Sequence, residues 1–101
     1  MAISMIEHRN YFYYIFDERG KRDSSVSDSI GELLGWSDQF FITHKFSFYN
    51  IYDQRGKKIH SISDSIGSFV SITADQFIVR KYNFLYTYDM WGRRKDSRPV
   101  R

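Results

Sequence analysis

Alternation, not a helical period, organises the apolar residues of this chain. In Phe48-Tyr49-Asn50-Ile51-Tyr52, residues Phe48, Asn50 and Tyr52 point one way and Tyr49 and Ile51 the other. Both faces carry bulk, so this strand is expected to be covered on both sides. The apolar runs are mostly aromatic and β-branched, which suits strands. Ile30 to Trp36 is the one stretch with a passable helical pattern, and Gly31 and Gly35 argue against it. Around Phe48 to Tyr52 the pattern predicts further short strands at Phe40 to Lys45, Lys57 to Ile62 and Gly67 to Ile72. A tight turn is expected at Phe46-Ser47. At Asp53-Gln54-Arg55-Gly56 the Asp can cap a turn through its carboxylate and the Gly accepts positive φ. Ser63-Asp64-Ser65 is a polar break, and Thr73-Ala74-Asp75 turns the chain again. Turn signals every roughly 8–12 residues indicate an all-β fold.

The same pattern is written almost three times. Phe16-Asp17-Glu18-Arg19-Gly20-Lys21 returns as Tyr52-Asp53-Gln54-Arg55-Gly56-Lys57 and again as Tyr88-Asp89-Met90-Trp91-Gly92-Arg93, each time 36 residues on and without a gap. Ser27-Asp28-Ser29-Ile30-Gly31 returns as Ser63-Asp64-Ser65-Ile66-Gly67. Residues 1–36 and 37–72 share fifteen identities, and 37–65 and 73–101 share eight. Such periodicity marks a repeat architecture. The expected organisation is a single β-repeat domain over 1–101. Its copies are 1–36, 37–72 and 73–101, each of about four short antiparallel strands, with residues 93–101 a basic tail.

Four short strands with an Asp-x-x-Gly-Lys hairpin resemble a β-propeller blade, and the spacing is similar to that of WG-type (KWG) repeats. The matching residues are Asp17, Gly20, Lys21, Asp28 and Gly31 in the first copy. Asp53, Gly56, Lys57, Asp64 and Gly67 match in the second, and Asp89 and Gly92 in the third. The Trp-Gly pair that defines those repeats would fall at Tyr13-Tyr14, Tyr49-Asn50 and Leu85-Tyr86, and no copy has it. The resemblance implies a β-repeat with a binding role and transfers no functional residue. Two copies and a part do not close a propeller ring, which takes about four to eight blades. The alternatives are a dimer completing a six-bladed ring, a fragment of a longer repeat protein, a small β-barrel, or a twisted sheet stack. The register starts and stops inside a unit, which leaves edges that favour association between chains.

Composition narrows the setting. Cysteine is absent, which rules out disulfide frameworks and thiolate metal sites. No apolar run approaches the ~20 residues of a membrane helix. Glu7 and Arg9 follow the first apolar patch too closely for a signal peptide. A cytoplasmic protein is the expectation. Net charge is +3, much of it from Arg93, Arg94, Lys95, Arg98 and Arg101.

The repeat separates scaffold from candidate chemistry. The repeated Asp and Gly residues are explained by turns, and no calcium-loop spacing exists, so no metal and no cofactor are expected. His60, Ser61, Ser63 and Asp64 do not form a triad, because neighbours on one strand point in alternate directions. His8, His44 and Arg80 share one repeat position that favours a cation and suits an anionic partner. The pairs Lys21-Arg22, Lys57-Lys58 and Arg93-Arg94 recur at one hairpin and could form a basic band attractive to phosphate, or protect sheet edges. Aromatics make up 19% of the chain, more than one small core holds, so some of Tyr11, Tyr13, Tyr14, Phe46, Tyr49, Tyr82, Tyr86 and Trp91 are expected to be partly exposed. Exposed Tyr and Trp suit a protein or sugar, and Tyr13, Tyr49 and Trp91 join the candidate contacts.

With no acid, base and nucleophile set, an enzyme is not expected. The leading expectation is a non-enzymatic protein-interaction module, its partner another protein or its own copy as a homo-oligomer. A lectin-like carbohydrate-binding module is the alternative. A nucleic-acid binder using the basic hairpins is the third choice. No membrane partner is expected.

Overall fold

Each Asp-x-x-Gly turn closes on itself in the same way. Asp17 Oδ1 accepts hydrogen bonds from the backbone N–H groups of Arg19 and Lys21, at 2.9 and 3.0 Å. Asp53 does the same for Arg55 and Lys57, and Asp89 for Trp91 and Arg93. The glycines that follow, Gly20, Gly56 and Gly92, have φ of 76°, 84° and 83°, a region closed to most side chains. These are the capped turns expected from the sequence.

The computed structural model describes residues 2–100. The fold is all-β, with eleven strands in three separate antiparallel sheets. The first sheet holds β1 (Met5–Arg9), β2 (Phe12–Phe16) and β3 (Arg22–Ser27). The second holds β4 (Glu32–Trp36), β5 (Phe40–Lys45), β6 (Phe48–Asp53) and β7 (Lys58–Ser63). The third holds β8 (Ser68–Thr73), β9 (Gln76–Lys81), β10 (Phe84–Asp89) and β11 (Arg94–Pro99). Within each sheet the strands follow chain order.

The units of the sequence and the units of the structure differ in phase. The strand predicted at Gly67 to Ile72 was expected to close the middle copy. It is β8, and it opens the third sheet by pairing with β9. Likewise Ile30 to Trp36 contains the strand β4. The crossing points are two 3₁₀ turns, Asp28–Ile30 and Asp64–Ile66, capped by the hydroxyls of Ser27 and Ser63. Gly31 and Gly67 follow each turn at φ of 120° and 136°. A Cβ on Gly31 would strike the backbone of His44, and one on Gly67 the backbone of Arg80, so the chain changes sheets where only glycine fits. Within the expected basic tail, residues 94–99 form the exposed strand β11, whose charges and terminal Pro99 suit an unpaired sheet edge, and Arg101 lies outside the described residues.

The sheets stack through two apolar seams. Ile6, Tyr13 and Ile15 of the first sheet meet Phe41 and Tyr52 of the second. On its other face the second sheet presents Phe40, Ile42, Tyr49 and Ile51 to Phe77, Val79 and Tyr88 of the third. The middle sheet is thus covered on both sides, as the bulk on both faces of Phe48 to Tyr52 predicted: Tyr49, Asn50, Ile51 and Tyr52 are all buried. Among the described residues no helix is long and apolar enough to cross a membrane.

Candidate binding surface

Strand direction divides the candidate residues between two rims. The hairpins β1–β2, β5–β6 and β9–β10 turn at one end of the sheets, and the Asp-x-x-Gly hairpins at the other. His8, His44 and Arg80 lie next to the first rim. Lys21, Arg22, Lys57, Lys58, Arg93, Arg94 and Trp91 lie at or beside the second. The fold does not bring the two groups together.

At the second rim the basic residues are all exposed, and several are already engaged with their own sheet. The Arg22 guanidinium lies 5.2 Å from the Tyr14 ring centroid, Arg94 5.5 Å from Tyr86, and Arg93 5.8 Å from Trp91. In the middle copy the Tyr14 position is Asn50, and its amide oxygen accepts from Ser61 instead. Arg93 Nε also donates to Asp89 Oδ2 at 3.1 Å. Burial raises the Asp89 pKa, but hydrogen bonds from the N–H groups of Arg93 and Trp91 and from the Arg93 side chain outweigh it and hold this carboxyl below its ordinary value.

At the first rim each histidine has a partner inside the molecule. His8 Nε2 lies 3.0 Å from Asp28 Oδ2, and His44 Nε2 lies 3.0 Å from Asp64 Oδ2. The repeat position that seemed to favour an external anion is therefore occupied by an internal one in two copies. In the third copy Val100 stands where the Asp would be, and Arg80 instead donates through Nε to the Tyr82 carbonyl. The signal was available in the sequence: the basic residue and the Asp twenty positions later change together.

Tyr13 and Tyr49, expected as surface contacts, are buried at 4% and 5% exposure. Their hydroxyls donate to the carbonyls of Gly31 and Gly67, at 2.7 and 2.6 Å, which ties each sheet to the start of the next. Burial pushes both phenols above their ordinary pKa. The aromatics that are exposed here are three others of those expected to be partly exposed. Tyr11, Phe46 and Tyr82 sit at the tips of the three equivalent hairpins, each more than 80% exposed. Each also has positive φ, at 69°, 57° and 55°. Lys45 and Lys81 lie 5.5 and 5.9 Å from the Phe46 and Tyr82 rings.

Open grooves lie near the histidine positions of this rim. One, of about 630 Å³, is lined by Leu34, His44, Asp64, Ser65, Ser68 and Tyr82 among others. A second, of about 510 Å³, holds the equivalent His8, Tyr13 and Asp28 with Glu32. Among the described residues no three His, Asp or Glu side chains converge as a metal site would require. No family model, no curated protein and no solved structure matches the chain.

Proposed function

We propose that the chain is a non-enzymatic protein-interaction module, and that its partner is held across the rim formed by Tyr11, Phe46 and Tyr82. One observation carries this. A bulky residue in the left-handed region costs on the order of 1 kcal/mol, and a ring left in water returns none of it. The three hairpins accept that cost at two different positions, Phe46 and Tyr82 at one repeat position where the first copy has Asn10, and Tyr11 one residue later, although Asn or Gly would avoid it. Strain kept at an exposed apolar site points to use by a ligand. Lys45 and Lys81 beside the rings favour a partner segment that carries acidic as well as apolar side chains. The similarity of the Asp-x-x-Gly-Lys turns to WG-type repeats supports the same binding role.

The test is a triple variant, Tyr11→Asn, Phe46→Asn and Tyr82→Asn. It is expected to melt at or above the temperature of the parent, because Asn tolerates positive φ. It is also expected to lose the peptides that the parent enriches from a random display library. Peptides that bind parent and variant equally would overturn the assignment.

A second reading, a lectin-like carbohydrate-binding module, is favoured by the groove at His44, Asp64, Ser65 and Ser68. Hydrogen-bonding groups there lie beside the Tyr82 ring, and the His–Asp pair, without such a ring, recurs at His8 and Asp28. A glycan array separates the two readings. Retention of a sugar class that is lost on Asp64→Ala would favour this one, and a flat array removes it.

A further inference from the structure

We propose that the outer face of the first sheet docks onto the outer face of the third sheet in a second copy of this chain, continuing the stack head to tail. This does not depend on the rim assignment, which concerns the ends of the sheets rather than their faces.

The warrant is an interface that the molecule already makes twice. In the second sheet, Phe41 and Tyr52 are stacked 5.2 Å apart and buried against the first sheet. In the third, the equivalent Phe77 and Tyr88 are stacked 5.6 Å apart and buried against the second. In the first sheet the same cross-strand positions are Met5 and Phe16, paired in the same register. No described sheet covers them, and Met5 is 44% exposed.

The hairpin glycines tell the same story independently. A side chain on Gly56 would collide with Val26 of the first sheet, and one on Gly92 with His60 of the second. Each hairpin is pressed onto the sheet before it. The equivalent Gly20 has nothing within 4 Å of its Cβ position. A third repeated feature agrees. Lys45 Nζ donates to the Ser29 carbonyl and Lys81 Nζ to the Ser65 carbonyl, each across a seam. Arg9, at the same position, turns to Glu7 and Tyr14 of its own sheet.

The surface that fits this half-interface is the opposite face of the same kind of sheet. Among the described residues that face is used by the first sheet and by the second, and the third leaves it uncovered. Ile78 and Leu85 there stand where the second sheet has Ile42 and Tyr49, both buried in the seam. The occupant assigned to the first sheet is therefore the third sheet of another copy, an extension of an interface already present.

Sedimentation velocity on the full chain tests this. The parent is expected to exceed the 12.1 kDa chain mass at concentrations on the order of 100 µM. Met5→Glu and Leu85→Glu change positions that are not buried, one at each end, and each alone is expected to sediment as monomer. Mixed in equal amounts they are expected to associate, because the intact third sheet of one meets the intact first sheet of the other. Phe12→Glu and Thr87→Glu, on the same two faces, provide an independent pair, with circular dichroism confirming the fold. A parent that stays monomeric overturns the proposal. So does a mixture no heavier than its components, or a Leu85→Glu variant that associates like the parent, since that outcome would place first sheet against first sheet.

Discussion

The first sheet has three strands and the third has four, and the two share a hairpin chemistry, yet their outward faces differ in character. The outer face of the first sheet keeps Met5, Phe12, Tyr14 and Phe16 at positions that are aromatic or buried in the sheets behind it. The outer face of the third sheet has replaced part of its pattern. Where the second sheet has Phe40, Ile51 and Ile62, the third has Gln76, Thr87 and Arg98. The third sheet has thus lost part of the apolar pattern that the first sheet keeps. The same repeat position is buried where another described sheet packs on it and partly exposed where none does.

The sharpest way to break this comparison is to truncate one position in two sheets. Phe41→Ala empties a fully buried site and is expected to cost about 3–5 kcal/mol in urea denaturation. Met5→Ala, its first-sheet counterpart, is expected to cost less than about 1 kcal/mol when measured in dilute solution. Equal costs would mean that the first face is not free.

The glycines give a second, smaller contrast. Gly20→Ala meets only the strain of positive φ, about 1 kcal/mol. Gly56→Ala meets the same strain and the Val26 side chain as well, so its melting temperature should fall further. If the two fall equally, the hairpin of the second sheet is not seated on the first.

The pH dependence sharpens the account of the seams. Tyr13 and Tyr49 titrate above their ordinary value in the folded chain because they are buried. A raised pKa means stability that is fully present below about pH 10 and lost as pH climbs through the folded value. Tyr13→Phe with Tyr49→Phe should flatten the alkaline fall in melting temperature, and an unchanged fall would remove these phenols as its cause. Asp89 has the opposite sign. Its lowered pKa gives stability that is present above the ordinary carboxylate range and lost as pH falls through the folded value, and Asp89→Asn should blunt that acid loss.

The smallest expected effect belongs to the second rim. Arg22→Ala removes a guanidinium from an exposed stack on Tyr14 and should cost about 0.5–1 kcal/mol.

Much of this architecture was legible in the residues. The period, the strands and the capped turns follow from side-chain alternation and from the Asp and Gly positions. The phase did not, because a 36-residue period is the same wherever counting begins. What sets it is the close approach at Gly31 and Gly67, where the chain leaves one sheet for the next. Strand β11 is not legible in the residues, because an edge strand exposed on both faces shows no apolar alternation. Tyr13 and Tyr49 resembled surface aromatics because their burial depends on a sheet that lies later in the chain. The pairing of His8 with Asp28 and His44 with Asp64 was within reach, since the third copy loses both partners together. The hairpin tips carried a weaker signal, because nothing in Phe46 or Tyr82 announces a left-handed backbone.

The most direct measurement of the central contrast is hydroxyl-radical footprinting of the parent chain across a range of concentrations. Met5 and Phe16 on the first face, and Ile78 and Leu85 on the third, should become protected together as concentration rises. Tyr11, Phe46 and Tyr82 at the hairpin tips should stay reactive throughout. Reactivity at Met5 and Phe16 that is independent of concentration, or protection there without protection at Ile78 and Leu85, would contradict the account.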